Sequence, residues 1–192
     1  MAKKESTFFN MVITLFIVTL VASSALGFIY KLTKEPIAKG KLEKKTQAIR
    51  TVVPDFDNQP LEEAYTKTID GMELTLYPAK KDDQLVGVAV STITNKGFSG
   101  EIKLMVGFKA DGTINNIAVL EHKETPGLGD KMEKSKSDWS LQFNGKDPEN
   151  FELAVVKDGG DVDAITASTI SSRAYCDAVK RAYEAFKKRS EQ

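Results

Sequence analysis

The chain has 192 residues, with 27 Lys and Arg against 27 Asp and Glu, so its formal net charge at neutral pH is zero. That length suits one modest domain plus an appendage, and the even charge balance argues against nucleic acid or an acidic polymer as partner. A single cysteine, Cys176, excludes an internal disulfide framework, and a single histidine, His122, without any Cys-x-x-Cys leaves no recognisable zinc, haem or iron–sulfur site, so redox chemistry would have to come from an organic cofactor.

After a short tail, residues 1–7, the run from Phe8 to Tyr30 carries no charge. As a helix rising about 1.5 Å per residue it reaches roughly 34 Å, enough for a hydrocarbon core of about 30 Å. A secretory signal has an apolar region of only about 7–15 residues. Val21-Ala22-Ser23-Ser24-Ala25 looks like a cleavage region, but the apolar run continues through Leu26 to Tyr30. An uncleaved transmembrane anchor over 8–30 is therefore expected. Lys3 and Lys4 precede it, and Lys31, Lys34, Lys39, Lys41, Lys44 and Lys45 follow. A bare positive-inside count would put the large domain in the cytoplasm, yet long domains translocate regardless of charge. Charge alone leaves the side open.

Thr33-Lys34-Glu35-Pro36 reads as a helix start with Pro36 in the first turn. A helical pattern runs from Ile37 to about Val53, with Leu42, Ala48, Ile49 and Val52 facing inward, and Pro54 ends it. Residues 31–54 thus read as a helical stalk, solvated, with membrane lipid head groups as a secondary contact. Residues 55–192 form the main domain, beginning with a loop to Gln59. Alternation and β-branched bias predict strands at Glu73–Tyr77, Leu85–Ile93 and Ile102–Phe108. The Asp111-Gly112 turn leads into another at Ile114–Leu120, closing a hairpin. A late strand is expected at Glu152–Val156, followed by a turn through Asp158-Gly159-Gly160-Asp161. A closing helix from about Ser171 to Lys188 should bury Tyr175, Val179, Ala182, Tyr183 and Phe186, which recur at three- and four-residue spacing. The expected fold is α+β: an antiparallel sheet with flanking helices, preceded by one N-terminal transmembrane helix.

Three short stretches stand out. Gly97-Phe98-Ser99-Gly100 is a glycine-aromatic turn before a strand, most simply a hairpin connection. Glu124-Thr125-Pro126-Gly127-Leu128-Gly129-Asp130-Lys131 follows the hairpin, and its proline and glycines make a tight turn that permits close backbone approach to a flat ligand. Asp163-Ala164-Ile165-Thr166-Ala167-Ser168-Thr169 sets small, mostly hydroxylated residues directly before the closing helix. A helix start offers free N–H groups and the positive end of the macrodipole, so an anion is favoured there, and a threonine hydroxyl at that point is well placed to carry a phosphate.

In this order and at these separations, over about residues 85 to 185, the three stretches resemble the motifs of the FMN-binding domain family. The single span and short length make the chain similar to those members that serve Rnf-type electron transport complexes. The resemblance implies FMN held covalently, its phosphate esterified to Thr169. A magnesium-dependent flavin transferase would move FMN from FAD and release AMP, recognising a motif that includes Asp163. Thr125, Leu128, Gly129 and Lys131 would lie beside the isoalloxazine or ribityl chain, with Thr166 and Ser168 as motif and hydrogen-bonding residues. Ala167 and Ser168 stand where Gly and Ala are common in the family; both are small, so the bend should survive. The resemblance further implies a redox subunit, not catalytic alone. It would pass electrons within a ferredoxin:NAD ion-translocating complex in the bacterial inner or cytoplasmic membrane, with its large domain extracytoplasmic, among other membrane and redox subunits.

The chain has no Rossmann fingerprint or nucleotide loop, so it should not bind NAD itself. Cys176 reads as a packed thiol, His122 as a hairpin-end residue, and Trp139 and Phe143 as core aromatics. Two other readings stay open: a cofactor-free membrane assembly module, and a free-standing extracytoplasmic flavin reductase.

Overall fold

The computed structural model describes residues 7–190. The chain forms two compact units, Met1–Glu43 and Lys44–Gln192. The first is helical: α1 (Phe8–Val52) begins there, and its apolar side chains stand exposed on all sides, Phe8 at 79%, Leu26 at 69% and Phe28 at 70%. A helix that is apolar all round needs either a protein core or lipid around it, and this one is long and apolar enough to cross a membrane. Thr14, Thr19 and Thr33 turn their hydroxyls back onto carbonyls three or four residues earlier. That pairing hides groups that would be costly in hydrocarbon.

Two expectations fail in this unit. No helix starts at Thr33–Pro36; Pro36 lies inside α1. Proline removes one helical bond, but ending the helix and nucleating another would sacrifice more bonds than one. Leu42, expected to face inward, is 56% exposed. Periodicity identifies a face and does not say whether anything covers it.

In the second unit five strands form one antiparallel meander in chain order: β1 (Tyr65–Ile69), β2 (Met72–Lys81), β3 (Gln84–Gly97), β4 (Gly100–Lys109) and β5 (Ile114–His122). Side-chain alternation divides the strands between two cores. Leu74, Leu76, Val88, Val90, Ile102, Leu104, Val106 and Phe108 face the closing helix, α2 (Thr169–Lys187). Tyr77, Ala79, Ala89 and Met105 face the opposite way, onto Ala48, Ile49, Val52 and Val53 at the end of α1. Gly107 permits that second contact, because a Cβ there would lie 1.9 Å from the Val52 carbonyl oxygen. From α2, Tyr175, Val179, Ala182 and Phe186 are buried, while Tyr183 is half-buried against Phe108.

The strand expected at Glu152–Val156 is absent. Val155 makes only an isolated bridge to Val162, and Val156–Asp158 is a 3₁₀ turn. The segment closes on itself: Glu152 N–H donates to Asp161 Oδ2 at 2.8 Å, and Gly160 sits so near the Ala154 carbonyl that a Cβ would meet it at 2.1 Å. Glu152, Ala154, Val155 and Val156 pair carbonyls or amides within the segment instead of along a sheet edge.

Buried groups near α2 also find local explanations. Asp177 is half-buried, which would raise its pKa. Hydrogen bonds from Lys96, Thr94 and Arg181 outweigh that effect and hold its carboxyl below the usual range. This cluster ties α2 to β3. Burial pushes the Cys176 thiol up to about 12, so it stays protonated and unreactive at neutral pH.

Candidate functional site

The chain bends sharply before α2. Ala167 adopts φ +62°, the left-handed region, and Ser168 N–H closes the bend onto the Ile165 carbonyl at 2.9 Å. Ser172 holds it from inside the helix, accepting from Ile165 N–H at 2.9 Å and donating to the Ser168 carbonyl at 3.0 Å. An L-residue in the left-handed region costs about 1–2 kcal/mol, whereas glycine adopts it freely and loses about 0.5–1 kcal/mol of chain entropy instead. Ala167→Gly is thus expected to stabilise the domain by about 0.5–1 kcal/mol. Urea unfolding of the two proteins checks this, and a Gly variant less stable than the parent would contradict it.

Thr169, Ile170 and Ser171 supply the first amides of α2. The first helical bond runs from Ser172 N–H to the Ser168 carbonyl, and none of those three amides finds an acceptor among the described residues. Ser168 occupies the N-cap position, where serine normally accepts from such amides, yet its side chain makes no cap bond. Thr169 is half-buried, Ile170 exposed and Ser171 buried, so the free donors of the first two and the positive helix end meet the surface.

They open onto a cleft of about 340 Å³, lined by Phe98, Glu124, Thr125, Leu128 and residues 167–171. Phe98 is 68% exposed, Ile170 47% and Leu128 39%, so apolar side chains edge a cleft whose floor is polar. Its size lies in the range of small-ligand sites. A larger depression of about 410 Å³ lies beside the second half of α2, among Glu152, Lys180, Tyr183 and Lys187. It includes none of the motif residues, and its walls are long charged side chains.

Of the residues singled out in the sequence, Thr125, Leu128, Ser168 and Thr169 come together on the cleft wall. Gly129, Lys131, Asp163 and Thr166 do not line it. Thr166 is exposed ahead of the bend, and Lys131 is half-buried in the 3₁₀ turn Gly129–Met132, its carbonyl accepting from Ser137 Oγ at 2.6 Å. Asp163 has an exposed side chain and a clamped backbone: its N–H donates to Gln142 Oε1 at 2.8 Å, and its carbonyl accepts from Trp139 Nε1 at 2.5 Å. Trp139 packs edge-on against Phe143 and Tyr175 in the core, so it latches the motif to that core. Gly129 is buried behind the wall, where a Cβ would lie 2.7 Å from Glu124 and 2.8 Å from Ser171 Oγ.

Sequence reasoning assigns no role to Glu124, Ser171 or Ser99. Glu124 is 5% exposed, and its carboxylate accepts from Ser99 N–H at 2.9 Å and from the Ser171 hydroxyl in a very short bond. Behind it, Glu124 N–H donates to His122 Nδ1 at 3.0 Å, which puts the ring proton on Nε2, 3.0 Å from Glu133 Oε1. Among the described residues no cluster of His, Cys, Asp and Glu fits a metal ion.

Comparison with known proteins gives the chain a family. Residues 97–184 match the FMN-binding domain family, a stretch that includes every residue lining the cleft. Over 178 residues the chain is 39% identical to the G subunit of the ion-translocating oxidoreductase complex of Erwinia tasmaniensis, covering 88% of this chain and 85% of that protein. The chain belongs to this G-subunit family. The corresponding protein of Vibrio cholerae strain M66-2 is 38% identical over 173 residues, 85% of this chain and 83% of its own. That of Aliivibrio fischeri is 35% identical over 193 residues, 95% of this chain and 91% of its own. These matches extend well ahead of residue 97, so β1, β2 and part of α1, which lie outside the matched FMN-binding stretch, belong to the G-subunit pattern.

Proposed function

We propose that this G-subunit protein carries FMN as a phosphoester on Thr169 and passes electrons within an Rnf-type ferredoxin:NAD ion-translocating complex. One observation carries the reading: the hydroxyl-bearing head of α2, with three unpaired amides, faces a small-ligand cleft edged by Phe98, Leu128 and Ile170. A phosphate there gains backbone donors and the helix dipole, and a flat ring system gains apolar contact at the mouth. The residues present fit FMN, which when bound supplies electron transfer over a potential range set by its surroundings.

Attachment balances as a phosphoryl transfer. Thr169 Oγ bonds to the flavin-side phosphorus of FAD, the pyrophosphate P–O bond breaks, and AMP leaves. The flavin transferase removes the threonine proton. Asp163, exposed on a clamped backbone, is available for recognition by that enzyme. Thr125 and Leu128 would contact the ribityl chain or ring from the opposite wall, and Gly129 and Lys131 would support that loop. Thr166 would serve the transferase's motif from outside the cleft.

α1 would anchor the protein in the bacterial inner or cytoplasmic membrane as a single span, in contact with lipid and with the other membrane and redox subunits. The large domain would be extracytoplasmic, where flavin transfer would take place. C-terminal alkaline phosphatase fusions should then be active and C-terminal fluorescent-protein fusions dark; the reverse pattern would remove both topology and attachment route. Intact mass of the purified protein, with in-gel flavin fluorescence, tests the cofactor itself. An unmodified chain from cells with active transferase would favour a cofactor-free assembly module.

A further inference from the structure

The geometry points to Glu124 as a positioning residue that keeps the head of α2 open for phosphate. The inference rests on Thr169 as the attachment residue and adds a cause for the open helix end. Three segments far apart in sequence meet at this one carboxylate. Ser99 N–H binds Oε1 at 2.9 Å, and the Ser171 hydroxyl binds Oε2. Two motif glycines leave room for it: a Cβ on Gly97 would meet Oε1 at 2.8 Å, and one on Gly129 would meet Oε2 at 2.7 Å. One glycine of each loop, Gly97 and Gly129, thus accommodates Glu124.

The consequence lies in the direction of the hydroxyl bonds. A carboxylate only accepts, so the Ser171 proton is spent on Glu124. Ser168 Oγ lies 3.3 Å from Ser171 Oγ, and Ser168 must therefore be the donor in that pair. A charge-assisted relay, Ser168 to Ser171 to Glu124, holds the N-cap hydroxyl toward the interior. That orientation, together with a Ser168 backbone at φ −138° and ψ 42°, outside the usual extended cap region, leaves the three amides uncapped. Without the relay, Ser168 would turn to the amides and compete with any incoming phosphate.

Glu124→Gln keeps the shape and removes the charge. Its amide can still accept from Ser99, but it donates to Ser171, which reverses the relay and makes it neutral. In the full chain purified in detergent from cells lacking the transferase, hydrogen exchange at the exposed Ile170 should be nearly unprotected in the parent. It should slow about fivefold in Glu124→Gln, the worth of one cap. The initial rate of FMN transfer from FAD by purified transferase should fall by a similar factor. Ser171→Ala, which cuts the relay at its middle, should do the same. Neither substitution should have these effects in a Ser168→Ala background, because no capping hydroxyl remains; a generally loosened site would not be rescued this way.

Exchange and transfer unchanged by Glu124→Gln and Ser171→Ala would overturn the inference. So would transfer that speeds up, as relief of charge repulsion alone would give, or losses that persist in the Ser168→Ala background. The parent's own FMN content, read by intact mass, tests the attachment reading separately from these comparisons.

Discussion

Thr169→Val is expected to abolish covalent FMN and leave the domain folded. Thr169 is the first residue of α2, half-buried on the cleft wall, and its hydroxyl makes no hydrogen bond within the described residues. Valine keeps the branched shape and removes only the nucleophile, so the cost to stability should stay below about 1 kcal/mol, less than a typical internal hydrogen bond. In-gel fluorescence should vanish, the intact mass should fall to that of the bare chain, and electron transfer through the assembled complex should stop. Thr169→Ser should recover part of the modification, since it restores a hydroxyl on a less restricted rotamer. Neighbouring hydroxyls are poor substitutes. Ser168 is buried and committed to Ser171, and Thr166 lies outside the cleft. Covalent flavin surviving in Thr169→Val, or peptide mapping to Ser168, would sink the assignment.

The parts of this protein that sequence alone makes legible are those governed by local pattern. The uncharged run of α1, the alternating strands β2 to β5 and the apolar stripe of α2 each announce themselves within a few residues. β1 does have a signal: Asp70-Gly71, at φ +50° and +74°, is a two-residue hairpin turn before Met72. It is obscured because Tyr65–Ile69 carries polar residues on its open face. The false strand at 152–156 shows the opposite failure, since apolar residues in a tight loop mimic a short strand. At the site, small hydroxylated residues before a helix mark a candidate anion site, and the resemblance to the FMN-binding domain family picks Thr169 among them. Glu124 is not legible, because its partners Ser99 and Ser171 lie 25 and 47 residues away. Its meaning arises only when the turn between β3 and β4, the proline-glycine loop and α2 are brought together.

That convergence makes Gly129 a position where an added side chain should press on the groups that hold the head of α2. Gly127, two residues earlier, has φ +79° and open space where a Cβ would stand, with nothing within 4 Å, so Gly127→Ala should cost only the backbone strain of about 1–2 kcal/mol. Gly129 has no such φ, but a Cβ there would lie 2.7 Å from both Glu124 Cβ and Oε2, and 2.8 Å from Ser171 Oγ. The carboxylate is held by Ser99 and Ser171 and cannot retreat without breaking one of them. Overpacking of this kind typically costs about 1–3 kcal/mol, and here it also displaces the groups that hold the head of α2. Gly129→Val should therefore lower the unfolding midpoint more than Gly127→Ala and slow covalent FMN incorporation, whereas Gly127→Ala should leave incorporation near that of the parent. Urea unfolding and time-resolved intact mass on both variants check the pair. Incorporation equally fast in Gly129→Val would mean that the loop yields without moving Glu124 or Ser171, and that the contact seen at Gly129 does not reach the attachment site.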